Sequence, residues 1–125
     1  MLQANNKALY LVMAERILDN IISGTLTPES RLPSIREYAA EMQVNANTVV
    51  RTYDYLSSID VIYNRRGVGF FVTQNALEEA IKIRQENVIG KELNEIFRQL
   101  KLLGIDPESL KERYIHYLAN SQENI

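Results

Sequence analysis

Asn45, Asn47, Thr48 and Arg51 crowd the head of one expected helix, and each side chain suits the edge of a base pair. An Asn amide can bridge N6 and N7 of adenine, a Thr can touch a base edge or the thymine methyl, and an Arg suits guanine or a phosphate. Arg36 stands near the start of the preceding helix, where it would reach a flanking phosphate or a guanine. Arg65 and Arg66 come just before Gly67, in a turn where glycine permits close approach of backbone to a groove. Taken singly, each has a plainer reading. Asn45 can be a cap, Arg51 can pair with Asp54 or Glu41, and Arg65-Arg66 can be an exposed turn. What carries weight is their order along the chain.

Other chemistries lack a constellation. The sequence has no Cys and one His, which excludes disulfides, thiolate metal sites and thiol nucleophiles. His116, in the last helix between Ile115 and Tyr117, reads as a surface or partly packed side chain. Glu78-Glu79 and Glu92/Glu95 read as solvated helix faces. Gly67-Val68-Gly69 is too short for a phosphate loop, which needs a strand before it and a helix after it. No enzyme, catalytic residue, metal or cofactor is expected.

The elements that must position these residues are marked by local signals. Apolar residues at Leu11, Ala14, Ile17 or Leu18 and Ile21 or Ile22 have helical spacing, and Gly24 supplies a left-handed stop. Thr25–Pro33 reads as a loop. Ser34-Ile35-Arg36-Glu37 forms a capping box for a short helix to about Met42. Val44-Asn45 is a turn, with Asn45 capping a helix over Ala46 to Ser58. Two short helices across a tight turn make a helix-turn-helix. Val61–Asn64 and Phe70–Thr73 flank the glycine turn as a β-hairpin, a wing. Tyr53, Tyr55, Tyr63, Phe70 and Phe71 are expected as core between helix and wing.

Beyond Asn75, a long helix is expected from Ala76 to about Leu103. Ile89, Leu93, Ile96, Leu100 and Leu103 recur at alternating fours and threes, a heptad-like seam for a second copy or for the last helix. Gly90 interrupts that helix, either as a bend that could act as a switching element or through close helix packing or mere tolerance. Gly104 ends it, and Asp106-Pro107 starts a final helix with Leu110, Tyr114 and Leu118 on one face. Ser121–Ile125 should fray. The expected fold class is mainly α with a small β-hairpin: a winged helix-turn-helix domain over residues 1–74 and a two-helix dimerisation tail over residues 75–125.

Leu32 to Thr73 resembles the winged helix-turn-helix domain of GntR-family bacterial transcription regulators. Leu32-Pro33-Ser34-Ile35-Arg36-Glu37 matches the LPSxRE opening of that family. Val44 to Val49 with Arg51 is similar to its VNxNTVxR recognition helix, and Arg66 to Val72 to its RGxGTFV wing. The resemblance implies that Arg36, Asn45, Asn47, Thr48, Arg51 and the Arg66-Gly67 tip face DNA. Departures from the pattern are Glu29 and Asp60 at positions usually held by Gly, and Phe70 in place of the wing Thr. Ala46 stands where other branches often have Arg, which implies a different base preference. The short tail is similar to that of the YtrA-like subfamily, which implies dimerisation, often control of transporter operons, and no large effector domain. A small-molecule effector, if there is one, would bind between the tail helices or at the domain junction.

The sequence thus points to a homodimeric, sequence-specific repressor of a near-palindromic double-stranded DNA operator. The rival reading is a winged-helix protein-interaction module without specific DNA binding. No basic segment followed by an apolar block opens the chain and no stretch is fit to cross a membrane, so a cytoplasmic location is expected. The 125 residues carry a net charge of −2. Residues 1–74 hold seven basic and seven acidic side chains, so the tail carries the whole excess. Weak non-specific affinity follows, leaving more of the binding to base contacts.

Overall fold

A computed structural model describes residues 7–121. The expected fraying beyond Ser121 lies outside the described residues. In order come α1 (Leu9–Ile22), α2 (Ile35–Met42), α3 (Ala46–Ser58), β1 (Ile62–Arg65), β2 (Gly69–Val72), α4 (Ala76–Asn87), a π-helical turn (Val88–Glu92), α5 (Leu93–Leu102) and α6 (Pro107–Asn120). The chain divides into two compact units, the first ending at Arg84 and the second beginning at Gln85.

In the first unit α3 packs on α1, α2 and β1. The core joins Met13, Ala14, Ile17, Leu18 and Ile21 of α1 to Val49, Tyr53 and Leu56 of α3, with Ile62 and Val72 from the hairpin. These spacings of three and four put one stripe of each helix inward. Thr52 is fully buried, and its hydroxyl lies 2.9 Å from the Thr48 carbonyl and 3.1 Å from the Tyr10 carbonyl, so the polar group is satisfied between α3 and α1. Ala76 and Ala80 seat the start of α4 in the same core. Arg84 on α4 reaches Asp19 on α1 at 2.7 Å.

The starts of α2 and α6 are fixed by side-chain caps. The Ser34 hydroxyl accepts from the Glu37 amide at 3.1 Å, and the Glu37 carboxylate accepts from the Ser34 amide at 2.8 Å, the reciprocal capping box. Those bonds hold the Glu37 carboxyl below its ordinary range. Asp106 caps α6, accepting from the Ser109 amide at 2.8 Å, with Pro107 at the first position.

β1 and β2 pair antiparallel, Ile62 opposite Val72 and Arg65 opposite Gly69. The expected loop before α2 is present, and part of it is tied to β2. The amides of Glu29 and Leu32 donate to the carbonyls of Val72 and Phe70, each at 2.8 Å, and the Val72 amide donates back to Ser30 at 2.9 Å. Residues 29–32 therefore run as a third edge beside β2.

Glu29 explains its own departure from glycine. It adopts a left-handed φ of 68°, and its carboxylate accepts from Tyr63 at 2.5 Å and from Gln74 at 2.9 Å. The strain of that backbone is offset by a clasp over the foot of the wing. The Tyr63 hydroxyl first, then Gln74, lowers the Glu29 pKa. A carboxyl depressed on folding stabilises above its unfolded pKa of about 4.3, and that contribution is lost as pH falls through the folded value. We expect Glu29→Gln to lower the melting temperature at neutral pH and to flatten its fall in acid. An unchanged acid limb, read by circular dichroism, would show that the clasp does not hold the wing.

The second unit has a different character. None of its apolar side chains is fully buried among the described residues. Leu102 and Leu103 stand 77% and 70% exposed, and Ile89, Ile96, Phe97, Tyr114, Ile115, Tyr117 and Leu118 are exposed as well. Val88, Ile89, Leu93, Phe97 and Leu100 face Ile105, Leu110 and Tyr114 across an open apolar groove. The expected long helix is present from Ala76 to Leu102 but widens into a π turn at Val88–Glu92, where the Asn94 side chain donates to the Gly90 carbonyl at 3.1 Å. A Cβ on Gly90 would meet nothing within 4 Å, so close packing within the described chain does not require this glycine. Gly90→Ala is expected to stabilise the helix by about 1 kcal/mol. A destabilised variant in thermal melts would instead place another chain against Gly90.

Candidate nucleic-acid interface

Gln43, at a left-handed φ of 56°, turns the chain between α2 and α3. Asn45 then caps α3, its Oδ1 accepting from the Asn47 amide at 2.8 Å. That bond takes one lone pair of the Asn45 side-chain oxygen and holds the side chain against the helix head. Asn47 is exposed, and its side chain makes no hydrogen bond among the described residues. Of the two, only Asn47 keeps both ends of its amide free for the two-point contact that adenine needs.

Thr48 is half-buried and Arg51 exposed; with Asn47 they occupy the first turns of one helix face. Arg51 does not pair with Asp54 or Glu41. Its guanidinium lies 4.1 Å from the centre of the Tyr10 ring on α1, a cation–π contact. Tyr10 is a supporting residue that sequence reasoning missed, because the partners lie far apart in the chain. Arg36 is exposed in the first turn of α2.

The wing tip is a turn closed by the Val68 amide on the Arg65 carbonyl at 2.8 Å, with Gly67 at φ 78° in its third position. A positive φ there is the type II pattern, which favours glycine. Arg66 and Gly67 are exposed at the tip. Arg65 lies back along the hairpin, its guanidinium 4.7 Å from the Phe71 ring centre. Phe70, in place of the usual Thr, turns to the other side and meets the Tyr53 ring edge-on at 4.9 Å. The Tyr53 hydroxyl donates to the Pro33 carbonyl at 2.7 Å, and burial raises its pKa. Of the expected aromatic core, Tyr53 and Phe71 are buried while Tyr55, Tyr63 and Phe70 are half-buried. Asp60 ends α3 at φ 64°, the left-handed position usually given to glycine.

Residues outside this set have quiet surroundings. His116 is exposed and lies 3.0 Å from the Asn120 amide on the same helix. Glu95 pairs with Arg98 at 2.7 Å. Among the described residues no group of His, Asp and Glu is arranged to hold a metal, and no helix is long and apolar enough to cross a membrane. Of the seam, Leu93 and Leu100 are half-buried along the groove, while Ile89, Ile96 and Leu103 are exposed.

A capped two-helix unit with an exposed polar helix head, followed by a hairpin with an arginine–glycine tip, defines a winged helix-turn-helix domain of the DNA-binding class. Residues 9–72 match the family of bacterial regulatory proteins called gntR, and the chain belongs to that family. A GntR-family transcriptional regulator from Bacteroides thetaiotaomicron has a crystal structure that is similar at a TM-score of 0.78 and 43% identity, covering 90% of this chain and 99% of that one. The transcriptional regulator YhcF of Bacillus subtilis is 32% identical over 86% of this chain and 88% of its own. The transcriptional repressor YtrA of the same organism is 26% identical over 83% of this chain and 79% of its own. These relatives carry the names of transcription regulators, and their similarity continues past the winged domain, consistent with the YtrA-like subfamily. The chain is thus a transcription regulator with a winged-helix DNA-binding fold.

Proposed function

We propose that the chain is a cytoplasmic repressor that binds a near-palindromic operator as a homodimer. In this reading residues 1–74 are the reading head and residues 75–125 the dimerising tail, whose first turns seat on α1. Asn47 reads a base edge, aided by Thr48 and Arg51. Arg36, Arg65, Arg66 and Gly67 hold the flanking backbone, and Asn45 shapes the helix head as its cap while offering its free amide nitrogen. Ile89, Leu93, Ile96, Leu100 and Leu103 bring two tails together.

One observation carries the reading of the tail: a run of described helix with most of its large apolar side chains exposed and none fully buried. Exposed apolar surface on that scale marks an interaction site. Two copies joined through it would present two recognition helices to half-sites about one helical turn apart, or a multiple of it. A repressor action is supported by the likeness to YtrA.

The test is selection of bound duplexes from a random DNA pool by the full chain, beside a gel shift on the DNA upstream of its own gene. An enriched inverted repeat, bound more tightly than random duplex, is the expected result. Equal binding to every sequence, or to none, would overturn the reading in favour of a protein-interaction module.

A further inference from the structure

Arg31 lies outside the recognition motifs, yet its side chain runs to the wing. Its backbone is fixed first: Arg31 bridges Phe71, and the bonds of Glu29 and Leu32 to β2 hold the segment on either side. From that base the guanidinium crosses to the hairpin turn, where Nη2 donates to the Val68 carbonyl at 3.2 Å. It passes over Gly69, with Nε and Nη2 lying 3.1 Å and 3.3 Å from where a Cβ on that residue would sit. Gly69 has a φ of 142°, a conformation side chains rarely adopt. The glycine therefore supplies both the positive φ at the start of β2 and the bed for the arginine.

Below the tip the hairpin is held by its own ladder up to the Arg65–Gly69 pair and by residues 29–32 beside β2; the strut ties the turn itself to that segment. Strands of four residues, as here, make a two-stranded hairpin that is marginal alone. A tie from the neighbouring segment limits the motion of the tip before DNA arrives, and ordering a loop in advance lowers the cost of binding. The planar fork of arginine fits this position, because it can lie flat over Gly69 while donating to a carbonyl, which a lysine ammonium cannot copy.

We propose that Arg31 is a positioning residue for the wing, setting the Arg66-Gly67 tip for its grip on the DNA backbone. This rests on the DNA-reading function proposed above. Its consequence is specific: Arg31 acts through the wing, so its effect depends on the wing tip being functional.

The experiment uses the full chain, the duplex enriched from the random pool, and the variants Arg31→Ala, Arg31→Lys, Arg66→Ala and the Arg31→Ala/Arg66→Ala pair. Arg31→Ala should weaken binding about tenfold in the parent but by roughly twofold or less when Arg66 is already Ala, because groups in one network couple. Arg31→Lys should recover little of the loss. Additive losses, full rescue by Lys, or unchanged affinity would each overturn the proposal; the first two would make Arg31 a direct phosphate contact. Amide exchange at Val68 in the unbound protein gives a reading independent of DNA. Faster exchange in Arg31→Ala supports the strut, and unchanged exchange overturns it even if the DNA reading stands. If no duplex is enriched, the DNA reading fails, and faster Val68 exchange would still uphold the strut while removing its role in DNA binding.

Discussion

Replacing Asn47 by Ala is expected to cost about 1–3 kcal/mol of affinity for the selected duplex, the worth of one good two-point base contact, while sparing random DNA. The reason is geometric. Asn45 and Asn47 look equivalent as residues, but the Asn45 side-chain oxygen is held in the helix cap at 2.8 Å. Asn47 stands exposed with both ends of its amide free. Its removal should leave the melting temperature unchanged, since its side chain supports nothing in the described fold. Asn45→Ala should differ, costing about 1 kcal/mol of stability through loss of the cap. Arg36→Ala offers the contrast within binding. If Arg36 grips a phosphate, affinity falls for both duplexes and the slope of log affinity against log salt drops by about 0.9. Fluorescence anisotropy titrations on selected and random duplexes separate these cases. Equal loss on both duplexes for Asn47→Ala would deny it a base-reading role.

Replacing Leu93 and Leu100 together by Ser should dissociate the dimer. Each is already half-buried in the single chain, so burial between copies is worth part of the about 1.5–3 kcal/mol of a whole Leu side chain; two copies lose four such side chains, and the variant should be monomeric at micromolar concentration. These two residues also line the groove between α5 and α6, so the pair alone does not separate assembly from folding of the tail. Ile96→Ser with Leu103→Ser makes the distinction. Those side chains are 50% and 70% exposed in the single chain, so their loss should leave the tail helical and weaken only the contact between copies. Sedimentation velocity and circular dichroism on both pairs decide it. A dimer that survives both pairs would move the interface away from the seam.

The helix-turn-helix was legible because its signals are local. Ser34 and Glu37, or Asn45 and the amide two residues on, meet within one turn whatever the rest of the chain does. What escaped depends on distant partners. Residues 29–32 carry no strand pattern and sit between prolines, yet they pair with β2 some forty residues later. The contacts of Arg51 with Tyr10 and of Arg31 with Val68 are of the same long-range kind. The π turn at Val88–Glu92 has no residue signature beyond Gly90. Glu29 was visible as a departure from glycine, but its clasp on Tyr63 and Gln74 needed the wing to be in place.

Whether two reading heads joined by their tails engage two half-sites is decided by sedimentation of the full chain with the selected duplex. The expected result is a dimer in the absence of DNA and a complex of two chains on one duplex, lost when either half-site is scrambled. A monomer at micromolar concentration that binds one chain per duplex, with no loss on scrambling the second half-site, would refute the dimeric mechanism.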